Sequence, residues 1–186
     1  MCSMKKKIFT IPNLLSLFRL LLIPLIVWLF CAKENTLLAI AVMLLSGLTD
    51  IVDGYIARRF NMVSDLGKIL DPIADKLTQA AVLICVALRF VPVRFLFAFM
   101  VVKEISMGIA GLAVIHRTSI ITGAHWHGKL CTVTLYFVML AHMFFFSTMT
   151  QAVSAILCAL CALVMLSSLL LYLREDMHML RQNQKE

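Results

Sequence analysis

Chemistry in this chain is concentrated in four aspartates. Asp50-x-x-Asp53-Gly54-x-x-Ala57-Arg58 is followed, after eight residues, by Gly67-x-x-x-Asp71-x-x-x-Asp75. With Asp65, five of the ten acidic residues fall between positions 50 and 75 of an otherwise apolar, basic sequence, and such a concentration calls for a ligand. Four carboxylates at close quarters cannot all ionise without raised pKa values or bound cations. Donor sets made only of oxygen select hard metals, chiefly Mg2+, Mn2+ or Ca2+. Gly54 and Gly67 let a bulky ligand approach the backbone, and Arg58 offers a guanidinium fork that matches a phosphate. The chemistry expected of this set is a divalent cation held together with a phosphate. The plainer account is a buried ion-pair network with Arg58, Arg59, Lys68 and Lys76. Ionisable groups at membrane depth are costly and usually functional, which favours the ligand.

Two helices must position these residues. Asp50, Asp53, Gly54, Ala57 and Arg58 sit at offsets of three, four, seven and eight, which at about 100° per residue is one helical stripe. Gly67, Asp71 and Asp75 form a second stripe. The residues between, Arg59 to Leu66, carry Asn61, Ser64 and Asp65 and read as a short turn joining antiparallel helices. The two aspartate pairs are then expected to face each other.

This frame resembles, position for position, the signature of the CDP-alcohol phosphatidyltransferase family, integral membrane enzymes that move a phosphatidyl group from a CDP-activated lipid to an alcohol. The segment Ile11-Pro12-Asn13-Leu14-Leu15-Ser16-Leu17-Phe18-Arg19 is similar to the one preceding the first membrane helix in the family's glycerol-phosphate and cardiolipin branches. The likeness extends over residues 8 to 173. It implies that Asp50, Asp53 and Asp71 hold a first ion, and that Asp50, Asp71 and Asp75 share a second, the two ions being Mg2+ or Mn2+. It also implies that Gly54, Arg58, Ser64 and Gly67 embrace the CDP portion, with Asn13 and Ser16 as further nucleotide candidates. Asp75 becomes the general base for the acceptor hydroxyl, and a homodimer is the expected assembly.

Composition agrees with a bilayer setting. Hydrophobic residues make up 62% of the 186, against roughly 45–50% in soluble domains, and the mean hydropathy is +0.96. Apolar runs of about 20 residues predict an all-α integral membrane protein, a single domain over residues 1–186. Its six transmembrane helices are expected near 14–32, 36–58, 70–88, 95–115, 130–148 and 152–173. Lys5 to Phe9 form a short basic, amphipathic lead able to lie on an anionic leaflet. The first span exceeds a signal-peptide core and lacks a small-residue cleavage pattern, so it is expected to stay attached. With the amino terminus in the cytoplasm, Arg58, Arg59, Arg117, Lys129 and Arg174 fall inside and only Lys33, Arg89 and Arg94 outside. The positive-inside rule therefore puts both termini and the acidic frame on the cytoplasmic side. That asymmetry accounts for the net charge of +7, and with no basic stripe interleaved with aromatics, nucleic acid is not an expected partner.

Beyond the frame, Lys103 and Glu104 lie in the fourth span, either pairing with each other or serving the acceptor side of the cavity as their counterparts in the resembling family do. His125-Trp126-His127-Gly128-Lys129 opens the fifth helix. Two histidines at offset two do not share a face, which argues against a zinc pair; Trp126 suits an interfacial belt. Lys129 matches the family's Gly-Lys pair. Lys76 either neutralises the acids or snorkels. Cys158 and Cys161 have redox or zinc spacing, but in an apolar helix without a nearby histidine or acid they read as small packing residues, and disulfides are not expected.

The expected activity is transfer of the phosphatidyl group of CDP-diacylglycerol to glycerol-3-phosphate with release of CMP, with Lys103, Arg117 and Lys129 as cations for the acceptor phosphate. Two features weigh toward the alternative, a cardiolipin synthase using phosphatidylglycerol. Cys131 and Gly111 stand where glycerol-3-phosphate enzymes usually carry basic residues, and the run Lys103 to Thr118 resembles the eukaryotic-type cardiolipin synthases. A divalent-cation transporter is the reading from another class. Transport sites sit near the midplane on broken helices, whereas these acids cluster at one end with glycine and arginine spaced for phosphate.

Overall fold

The structure, a computed structural model, describes residues 11–59, 65–118 and 126–182. Among them there are six α-helices, one π-turn and no strand. Helix α1 (Ile11–Val27) runs directly into the π-turn (Trp28–Ala32), and is followed by α2 (Thr36–Arg59), α3 (Asp65–Ala87), α4 (Val91–Thr118), α5 (Trp126–Phe144) and α6 (Gln151–Gln182). All six expected helices are present. The basic lead at residues 5–9 lies outside the described residues.

Among the described residues three stretches are long and apolar enough to cross a membrane: Leu14–Ala32, Val91–Leu112 and Gln151–Glu175. Thr36–Thr49 and Gly128–Phe144 are shorter apolar helices. The difference from six spans has two causes: the end of α2 and the start of α3 are given over to the acidic frame and its cations, which cuts the apolar run in both, and the apolar part of α5 is too short. The expected turn at 59–66 is also shorter at its edges. Arg59 closes α2 and Asp65 opens α3, an acidic residue at the start suiting the positive end of the helix dipole. Asn61 and Ser64 lie outside the described residues.

The connection from α1 to α2 is built residue by residue. The Lys33 N–H donates to Trp28 O at 3.1 Å across the wide turn, and Glu34 takes a left-handed φ of 52°. Asn35 then caps α2, its Oδ1 accepting the Leu38 N–H at 3.2 Å.

The chain divides into two compact units, Met1–Cys85 and Val86–Glu186. In the first, α1 and the π-turn pack on α2, burying Leu22 and Ile26 of α1, Leu29 of the π-turn and Ala39 and Met43 of α2. Those positions recur at intervals of three and four, the helical period. In the second, α6 packs against both α4 and α5. Its buried stripe is Ser154, Cys158, Cys161, Met165 and Ser168, mostly small residues that let helices approach closely without a hydrophobic driving force. Cys158 and Cys161 are thus buried packing residues, and both are free thiols. His142 ties α5 to α6: Nδ1 donates to Val138 O, and Nε2 accepts from the Ser154 hydroxyl, both at 2.8 Å. The outer helix faces carry exposed Leu, Ile, Val and Phe, among them Leu21, Phe95, Leu112 and Phe137.

Candidate active site at the Asp71 and Asp75 carboxylates

Helix α3 carries Asp71 and Asp75 one turn apart, and α1 supplies a partner to each. The Ser16 hydroxyl donates to Asp71 Oδ1, and Arg19 Nη1 donates to Asp75 Oδ1 at 2.8 Å. Ser16 and Arg19 are themselves one turn apart. Two side chains on one helix thus meet two on the other at matching intervals. The donors are buried, Ser16 fully and Arg19 to 1% exposure, while the Asp75 side chain keeps 30% of its surface open. A buried guanidinium is tolerated where a carboxylate pairs with it.

Local sequence explains the presentation. Pro72 follows Asp71 inside α3; lying in the second turn, it removes a single helical hydrogen bond. Ala74 and Thr78, which flank the aspartates on the helix, are buried, and the Thr78 hydroxyl returns to Ala74 O at 2.8 Å. One turn beyond Asp75, Gln79 is buried, and its Oε1 accepts no hydrogen bond among the described residues.

The remaining site residues fall as follows. Asp50, Asp53, Gly54 and Arg58 occupy the last turns of α2, and Gly67 the first turn of α3; their side chains lie outside the description, as do those of Asn13 in α1 and Arg117 in α4. Ser64 lies outside the described residues. Ser16, expected near the nucleotide, is brought to Asp71. Lys103 is buried in α4 with its Nζ 3.3 Å from Glu104 Oε1, the pairing that was one of its two expected explanations. Lys129 is exposed on α5. Both lysines belong to the second unit, while Ser16, Arg19, Asp71 and Asp75 belong to the first.

Arg19 is the residue that sequence reasoning missed. It falls within the quoted Ile11–Arg19 segment, yet no role attaches to it by spacing, because its partner is 56 residues away. A signal was available. An arginine inside an apolar span asks for a named partner, and half of the chain's carboxylates lie in the stretch that holds the acidic frame.

The donor set fits a hard cation in kind, since Asp71 and Asp75 offer only oxygen. Among the described residues no group of three His, Cys, Asp or Glu side chains converges.

Comparison with known proteins completes the picture. Over 86 residues the chain is 46% identical to the cardiolipin synthase (CMP-forming) / mitochondrial hydrolase fusion protein of Schizosaccharomyces pombe, covering 46% of this chain and 14% of that one. It is 37% identical over 103 residues to the cardiolipin synthase (CMP-forming) of Streptomyces coelicolor, 53% of this chain and 48% of that protein. It is 38% identical over 111 residues to the CDP-diacylglycerol–glycerol-3-phosphate 3-phosphatidyltransferase of Aquifex aeolicus, 58% and 61% respectively. In each case the chain spans less than two thirds of the relative's length. No solved structure matches the chain. The CDP-alcohol phosphatidyltransferase profile matches residues 9–173. That stretch takes in Ser16 and Arg19, the whole acidic frame and the helices beyond it, and the chain belongs to the CDP-alcohol phosphatidyltransferase family.

Proposed function

We propose that this chain is a phosphatidyltransferase that moves the phosphatidyl group of CDP-diacylglycerol to glycerol-3-phosphate and releases CMP. The observation that carries the reading is the pair of α3 carboxylates, one turn apart and each met by a side chain of α1, inside a family match that covers the entire frame. Asp50, Asp53, Asp71 and Asp75 are the residues that would hold divalent cations, Mg2+ or Mn2+. Such ions, when bound, offset the charge that gathers on the attacked phosphoryl group and the departing CMP. Asp75 takes the proton of the acceptor hydroxyl, its open surface giving the alcohol access. Gly54, Arg58, Ser64 and Gly67 bind the CDP portion, assisted by Asn13 and Ser16. Lys103, Arg117 and Lys129 serve the acceptor phosphate. The protein is multi-pass, with both termini and the acidic frame cytoplasmic, and works as a homodimer.

A second reading has specific support. Two of the three relatives above are named cardiolipin synthase, and Cys131 and Gly111 occupy places where a glycerol-3-phosphate site usually carries cations. In that case the acceptor is phosphatidylglycerol and the product cardiolipin. Acceptor solubility separates the two. Purified enzyme in phosphatidylglycerol-free micelles is expected to release CMP from CDP-diacylglycerol only when glycerol-3-phosphate is added. Cardiolipin formed on adding phosphatidylglycerol, with no response to glycerol-3-phosphate, would promote the second reading. A divalent-cation transporter would release no CMP under either condition.

A further inference from the structure

We infer that Arg19 is a positioning residue for Asp75, and that the side chains of α1 give the two α3 carboxylates different tasks. The inference rests on the transferase reading, in which Asp75 takes the acceptor's proton. Ser16 and Arg19 are three residues apart and Asp71 and Asp75 four, so each pair presents its side chains on one helical face. Two contacts at matching intervals fix the register of α1 along α3 as well as the direction of each carboxylate.

The partners differ in kind. A serine hydroxyl is neutral: it orients Asp71 and leaves that residue's charge in place for a cation. A guanidinium is permanently charged: it orients Asp75 and balances it as well. The structure thereby gives one carboxylate a neutral partner and the other a cation of the chain itself. Burial shows how the second pair is supported. Arg19 is at 1% exposure and Asp75 at 30%, so the guanidinium is fixed from within and the carboxylate rests on it, with surface left for an incoming alcohol.

An ion pair of purely structural purpose is a poor bargain, because well-packed apolar residues of similar volume serve as well or better. Arg19 lies within the Leu14–Ala32 candidate span, where an ionisable side chain is disfavoured unless it has a task. Its Nη1 reaches a carboxylate of the acidic frame, and a misplacement of about 1 Å in such a group is enough to cost two orders of magnitude in rate.

The test uses the full chain in detergent, with Arg19→Gln and Arg19→Lys beside the wild type, and CMP release measured at saturating CDP-diacylglycerol and acceptor. Arg19→Gln is expected to lower kcat about 100-fold while the KM for CDP-diacylglycerol stays within about threefold. Arg19→Lys restores the charge and is expected to recover about tenfold of that loss. Unchanged kcat in Arg19→Gln, or no recovery in Arg19→Lys, overturns the inference. Should Arg19→Gln give no folded protein, Arg19→Lys carries the kinetic test alone: a lower kcat at unchanged KM supports the role, and wild-type kcat refutes it. Thermal midpoints of Arg19→Lys, Asp75→Asn and their double variant provide a reading that needs no substrate. Paired residues predict a double loss smaller than the sum of the single losses, and additive losses overturn the pairing. A wild-type protein that releases no CMP with either acceptor would defeat the transferase reading instead, leaving the midpoint cycle to judge the pair.

Discussion

Asparagine at position 71 keeps an oxygen that can accept the Ser16 hydroxyl, so Asp71→Asn separates charge from shape. It is expected to leave the thermal midpoint close to wild type and to reduce CMP release by about 100-fold or more, the scale on which a fixed electrostatic contact to a developing charge counts. Near-wild-type turnover at saturating Mg2+ would remove Asp71 from the set of cation ligands. Gln79 makes the opposite case. Its Oε1 is buried and accepts no hydrogen bond among the described residues, so it bears a desolvation cost with no return. Gln79→Leu is expected to raise unfolding stability by about 1 kcal/mol, visible as a higher thermal midpoint; a lower one would mean that the amide has a partner in the working protein. The aspartates could be read from the sequence because their spacings are multiples of one helical turn. Arg19 could not be matched to Asp75 that way, since nothing in a linear pattern says which of several carboxylates a distant arginine meets.

Helices carry the next set of consequences. Asn35 caps α2 through the Leu38 N–H, and Asn35→Ala is expected to cost about 1 kcal/mol, measured as a drop in midpoint that Asn35→Ser or Asn35→Asp avoids. At Gly128, an added Cβ would come to 2.5 Å from the Tyr172 hydroxyl and 3.3 Å from two of its ring atoms. Gly128→Ala therefore forces the α6 ring aside and is expected to destabilise by about 1–3 kcal/mol. Tyr172→Phe in the same chain removes the nearest atom and should return part of the loss; no recovery would place the strain elsewhere. Helix identity was legible throughout, because long apolar runs of bilayer length have few other folds open to them. Helix ends were not. An apolar run reports where the lipid-compatible stretch stops, whereas α6 continues from residue 173 to Gln182 through Arg174, Glu175, Met177 and Leu180, residues with good helix propensity and no glycine or proline among them. The short connections were partly hidden for a different reason, since the π-turn and the left-handed Glu34 have no sequence signature as plain as glycine or proline.

At the scale of the molecule, orientation is testable through one exposed thiol. Cys31 stands at the end of the first span beside Lys33, on the side opposite the cytoplasm in the proposed topology. A chain retaining Cys31 as its single cysteine should be labelled by a membrane-impermeant maleimide in sealed right-side-out vesicles. One retaining only Cys2 should be labelled only after permeabilisation, and the reverse pattern would invert the topology. The pairing of Arg19 with Asp75 also carries a consequence for synthesis. The two residues are 56 positions apart, and at about 5–20 residues per second the second leaves the ribosome roughly 3–11 s after the first. During that interval the contact between Arg19 and Asp75 cannot form, so the tie from the first span to α3 waits on a helix not yet made. Slowing elongation between Arg19 and Asp75 should lengthen the time this span spends beside the insertion machinery, and Arg19→Leu should abolish that delay.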